Sequence, residues 1–179
     1  HGTIVVDRGY RQHVNCGGAV GAFYSYNTGT MVAGAAELYR VTGEERFRTD
    51  LATICRGALS KFATYKRNYN AYDFKTDKTA EEGFNTWFNN VLIRGYVYAE
   101  PYCDNTSATN GLKGIQVTLD YAFENHNRNN MLPIHLLAGW GDEKITKPFH
   151  QFAFASEYSM LAVRYLTDAK TGGVDSVLA

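Results

Sequence analysis

YNTGTMVAGAAELYRVTGEERFRTDLATICRGALSKFATY, residues 26–65, joins two helices of different character through a short turn. In its first half Asn27 or Thr28 reads as the N-cap of a helix from about Thr28 to Val41, and Gly43 as its left-handed terminus. Met31, Val32, Ala33, Gly34, Ala35 and Ala36 are small or apolar on every side, which predicts a helix buried nearly all round. From Glu44 to Tyr65 the pattern changes. Phe47, Leu51, Ile54, Ala58, Leu59 and Phe62 recur at helical spacing while Arg46, Arg48, Asp50, Arg56 and Lys61 fill the remainder, so this helix buries one stripe and wets the other.

Downstream the alternation returns. After a polar, Tyr-rich loop from Arg67 to Glu82, Asn85 to Tyr98 has little polar surface and predicts a second buried helix ending before Pro101. Asn110 to Asn125 carries Leu112, Ile115, Leu119, Ala122 and Phe123 on one stripe, a second amphipathic helix. An Asn-rich loop leads to Phe152–Leu166, a third mostly apolar helix, and to a weakly specified tail. Upstream, Thr3 to Val6 is a β-like run, and CGGAVGAF reads as extended or loop structure. Buried and amphipathic helices in strict alternation are what an α/α toroid requires, since inner helices touch neighbours on all sides. Such a toroid closes with about six pairs, and the present pattern amounts to two and a half. The expected fold is all-α, a partial (α/α)6 toroid in one domain spanning 1–179. Its uncovered inner helices call for a missing half, supplied by an upstream segment, a separate chain or self-association.

Eighteen basic residues balance eighteen acidic ones, which removes the field that would draw in nucleic acid or an anionic membrane and favours a neutral partner. No apolar run approaches the roughly 20 residues of a membrane span. Cys16, Cys55 and Cys103 are widely separated and contain no CxxC pair, so a zinc site or a disulfide framework is not expected, although one incidental disulfide stays open. His1, His13, His126, His135 and His150 share no ligand spacing. Neither a metal nor another cofactor is expected.

Three collinear stretches carry a more specific likeness. Tyr26–Phe47 resembles the part of glycoside hydrolase family 76, the endo-α-1,6-mannanase type, that follows its catalytic half; there a Tyr-Asn pair and a Gly open an inner helix. FNTWFNNVLIRGYVY, Phe84 to Tyr98, is similar to the next inner helix, and NRNNMLPIHLLAGWGDEK with FAFASEYSMLAVRYL is similar to the last loop and last inner helix. The resemblance implies the C-terminal portion of an (α/α)6 barrel whose cleft cuts α-1,6-linked mannan with retention, using two adjacent Asp residues. It also implies an extracellular, periplasmic or cell-surface setting. No two Asp residues are adjacent in this chain, so no catalytic residue is carried over, and the chain alone is expected to be inactive. Asp73 and Asp77, Glu81 and Glu82, and Asp142 and Glu143 match no catalytic motif and read as solvated loop charges.

The candidate sugar contacts are Tyr26, Asn27, Asn85, Trp87, Phe88 and Gln151, each near the start of an inner helix, where free N–H groups and side chains face a cleft. Asn27 and Asn85 also read as caps alone, and Trp87 and Phe88 also as packing against a neighbouring helix. Gln151 opens the last inner helix together with Phe152. Trp140, in a Gly-Trp-Gly turn, is either a platform at the rim or a ring folded onto helix ends. Asn105-Thr106-Ser107 is a formal glycosylation sequon. Two other classes compete with the mannanase reading: a non-catalytic glycan-binding module, and a different α/α-toroid sugar enzyme.

Overall fold

A computed structural model describes residues 11–15, 18–74, 84–142 and 148–170 of the chain. Two short strands, β1 (Arg11–Asn15) and β2 (Gly18–Phe23), pair antiparallel, so the GAVGAF part of the glycine-rich stretch is extended, while Cys16 and Gly17 lie outside the described residues. The β-like run Thr3–Val6 lies outside the described residues. Helices α1 (Ser25–Thr42) and α2 (Glu45–Phe62) then form the first inner and outer pair. A hairpin, β3 (Ala63–Lys66) and β4 (Ala71–Phe74), leads to α3 (Phe84–Ala99), α4 (Ser107–His126) and α5 (Pro148–Lys170).

The inner helix α1 begins earlier than its sequence suggests. Tyr24, extended at φ −121° and ψ 139°, holds the cap position without a side-chain cap bond, and Asn27 and Thr28 fall inside the first turn. Burial overrides capping preference here: Ser25 and Thr28 are fully enclosed, so their hydroxyls do not stand at an exposed helix end. The other end follows expectation. Gly43, at φ 67°, takes the left-handed conformation, and its N–H donates to Tyr39 O at 2.8 Å.

Inner helices α1, α3 and α5 lie side by side and parallel. Tyr26 meets Phe88 at one end of the α1–α3 pair and Gly29 meets Leu92 a turn further on. Between α3 and α5, Asn90 Nδ2 donates to Ala153 O at 3.2 Å near the start, and Arg164 forms a two-pronged ion pair with Glu100 near the end. Outer helices α2 and α4 cover α1 and α3 with the stripe read from sequence: Leu51, Ile54, Ala58 and Phe62 from α2, and Leu112, Ile115, Leu119 and Ala122 from α4, join Val32, Leu92, Ile93 and Tyr96 in one core. Phe123 departs from its expected place on that stripe, being 49 % exposed, because this end of α4 borders an open groove.

The hairpin β3–β4 replaces the first part of the expected loop. Its turn carries Asn70 at φ 49°, a conformation Asn tolerates. Strands of four residues have too little alternation to register in sequence, and this pair is held by a tertiary contact: Thr118 Oγ1 accepts from Tyr72 N–H at 3.1 Å and donates to Tyr72 O at 2.7 Å. Helix α4 starts three residues before its expected N-terminus because Asn105 Oδ1 takes the Ser107 N–H at 2.9 Å. Among the described residues no helix is long and apolar enough to cross a membrane.

Candidate functional site

Because the three inner helices run parallel, their first turns open at one end of the molecule. None carries an acidic residue in its first turn, so the partial positive charge of the free N–H groups there meets no carboxylate from its own helix. Three aromatic rings gather at the α1–α3 end: Tyr26 and Phe88 at 4.6 Å between centroids, Tyr24 and Phe88 edge-on at 5.5 Å, and Tyr24 stacked on Tyr26 at 5.6 Å. Trp87, next to them in sequence, is 44 % exposed.

Several polar atoms of these helix starts lack partners among the described residues. Ser25 Oγ, Asn27 Nδ2 and Asn89 Oδ1 are buried and have no hydrogen-bond partner among the described residues, while Asn89 Nδ2 is anchored to Phe74 O at 3.0 Å. Leaving such groups unmade is costly, on the order of 1–3 kcal/mol each, and Arg48 Nε and the Tyr96 hydroxyl are in the same position away from this end. Sequence reading selected Tyr26, Asn27, Trp87 and Phe88, and the fold gathers Tyr26, Asn27 and Phe88 around one helix junction. It missed Tyr24, Ser25 and Asn89. The Asn89-Asn90 pair in an otherwise apolar helix was the available signal, since two amides on a buried helix need partners or a ligand.

Two candidates remain. The side chain of Asn85 lies outside the described residues, its backbone forming the first turn of α3. Gln151 uses its amide on the preceding loop, with Nε2 donating to Leu132 O at 2.7 Å and Oε1 accepting from Leu132 N–H at 3.0 Å, so it positions the loop against α5. Phe152 beside it is 68 % exposed. Trp140 is folded inward, its Nε1 donating to His126 O at 2.5 Å and Arg128 lying 4.9 Å from the ring, which decides for the packing alternative.

A second concavity, a groove of ≈ 320 Å³, lies between α4 and α5 and is lined by Asp120, Phe123, Glu124 and Tyr158. Burial, and after it the charge of Asp120, push the Tyr158 phenol up to about 12, so it stays a neutral donor. No residue selected from sequence lines this groove. Among the described residues no group of three or more His, Cys, Asp or Glu is arranged to hold a metal.

The sequence model of glycosyl hydrolase family 76 matches residues 2–144. The chain belongs to that family. Comparison with curated proteins and with solved structures produced no match. Membership of family 76 makes this a glycoside hydrolase-like protein with a glycan as its class of substrate, and it agrees with the all-α, inner-and-outer arrangement of helices.

Family 76 chemistry also directs attention to carboxyl groups, and one is unusual. Glu157 on α5 is 1 % exposed, and burial alone pushes its carboxyl well above the usual carboxylate range. A raised carboxyl suits a general acid, yet this one is enclosed and cannot reach a glycosidic oxygen. Its consequence is for stability. The folded chain keeps the proton at a pH where the unfolded chain, near 4.5, has released it, so the contribution is full below that value and is lost as pH rises toward the folded pKa. Glu157→Gln is therefore expected to gain stability over the parent progressively with pH. Urea unfolding of both proteins between about pH 5 and about pH 8 checks this, and curves that stay parallel would contradict it.

Proposed function

We propose that this chain, as one unit over residues 1–179, is the C-terminal portion of a family 76 barrel whose parent protein cleaves α-1,6-linked mannan outside the cytoplasm with retention of configuration. What supports the reading is the helix-start end, where aromatic rings and unpartnered polar atoms stand at the starts of α1 and α3 and no carboxylate occupies the first turns of the inner helices. Rings stack on pyranose faces and amides meet sugar hydroxyls, while a neutral chain suits a neutral polymer. The reacting carboxylates come from the other half. There, one Asp attacks the anomeric carbon while its neighbour protonates the departing oxygen, the two standing about 5–5.5 Å apart, and water then releases the glycosyl-enzyme with the second Asp acting as base.

Two exposed stripes support the partial barrel. Met31, Leu38 and Val41 recur along α1 at 43 %, 46 % and 71 % exposure, and Phe152, Val163 and Leu166 along α5 at 68 %, 58 % and 62 %. Apolar stripes on the first and last inner helices are where neighbouring inner helices of the remaining half would pack.

The test compares this chain with a longer product of the same gene carrying an adjacent Asp pair, reading reducing ends released from α-1,6-mannan. The longer protein is expected to turn over and this chain to be silent. Trp87→Ala in the longer protein is expected to lower kcat/KM about tenfold, the scale of one lost stacking contact. Turnover by the short chain would sink the proposal. A longer protein that binds mannan without cutting it would be a glycan-binding module instead.

A further inference from the structure

The connection between α3 and α4 lies along one face of α2 and is tied to it at three successive points. Arg48 pairs with Asp104, Asn105 Nδ2 donates to Ala52 O at 2.7 Å, and the Cys55 thiol meets the Cys103 thiol. Positions 48, 52 and 55 share one side of a helix, so the two neighbouring contacts hold Cys103 in register with Cys55. Cys103 is further fixed by its own N–H, which donates to Ala99 O at 2.9 Å, and by its Sγ, which donates to Asn105 Oδ1 at 3.5 Å. Cys55 is fully buried, and Cys103 packs half-buried against the core cluster that contains it. Neither thiol belongs to the candidate cleft.

We propose that Cys55 and Cys103 are a disulfide-forming pair that staples the α3–α4 connection to α2, closed by exchange with a disulfide oxidant of the glutathione or oxidoreductase class. In the first step the Cys103 thiolate attacks one sulfur of the oxidant, forming a mixed disulfide and expelling one thiolate. Cys55 then attacks Cys103 Sγ, so that the Cys55–Cys103 bond forms, the mixed disulfide breaks and the second thiolate leaves carrying the Cys55 proton. Two thiols are oxidised and one disulfide is reduced. Cys103 is the attacking group because it is the more accessible and because the hydrogen bond from Cys55 lowers its pKa to about 7, against the upward pull of burial. The same contact, with burial, pushes Cys55 up and keeps it protonated until the second step. An oxidising setting outside the cytoplasm would favour the closed form.

The full chain, purified reduced, is equilibrated with oxidised glutathione, alkylated under denaturing conditions and digested without reduction. A peptide joining Cys55 to Cys103 is expected, with a Tm about 5–10 °C above that of the reduced chain, as follows from closing a loop of about fifty residues. Both thiols recovered as alkylated peptides, a lasting glutathione adduct at Cys103 beside a free Cys55, or a link to Cys16 in place of this pair would each overturn the proposal. Cys103→Ser, which keeps a small donor toward Asn105, is expected to show the same Tm in oxidised and reduced buffers. A Tm that still rises on oxidation in that variant would overturn it as well.

Discussion

Gly29→Ala is expected to lower the unfolding free energy by about 3 kcal/mol or more, the upper end of what overpacking a core produces. A Cβ at position 29 would lie 2.4 Å from Val91 O and 2.5 Å from Leu92 Cα, and one at Gly95 would lie 2.6 Å from Gly29 O. Those neighbours are backbone, so no rotamer change can make room, and α1 must move away from α3. That separation would uncover Val32, Leu92 and Tyr96, which are fully buried at the centre of the core. Gly34→Ala is the matched control on the same helix. Its Cβ would meet nothing within 4 Å, so it should be neutral or gain up to about 1 kcal/mol from helix propensity. Urea unfolding of the three proteins separates steric from propensity effects; equal midpoints for Gly29→Ala and the parent would refute the close α1–α3 approach.

Asn105→Ala is expected to cost about 2 kcal/mol, because one side chain performs two structural tasks. Its Oδ1 caps α4 through the Ser107 N–H and its Nδ2 ties the connection to Ala52 O on α2. Asn105→Asp keeps the cap acceptor and removes the donor, so it should recover about half of the loss. If both substitutions leave thermal unfolding unchanged, the connection is not anchored through Asn105. The formal sequon at this position is thereby given a structural reading: the amide nitrogen that would carry a glycan is already committed to α2.

The α3–α4 connection sits at the end of α3 opposite the Tyr26–Phe88 cluster, so its ties through Arg48, Asn105 and Cys103 lie away from the candidate cleft.

The order of apolar and amphipathic helices was readable from residues alone, because composition and periodicity report it, but the expectation that α1 is buried nearly all round was not met: Met31, Leu38 and Val41 on α1, like Phe152 and Val163 on the apolar α5, are exposed in this chain. Gly43 was readable too, its left-handed φ being a local requirement. That Tyr26, Asn27, Trp87 and Phe88 lie within the first two turns of inner helices was within reach of local sequence, although the exact start of α1 was not. What tertiary structure alone decided depends on partners far apart in the chain. The β3–β4 hairpin rests on Thr118, the start of α1 rests on burying Ser25 and Thr28, and the Gln151 amide bonds to Leu132, nineteen residues away. The approach of Gly29 to Gly95 and of Cys55 to Cys103 belongs to the same class. Sequence periodicity tells which face of a helix is covered, whereas which atoms cover it is settled only when the helices pack, since packing chooses among many neighbours of equal hydrophobicity by shape and by the few hydrogen bonds that burial makes compulsory.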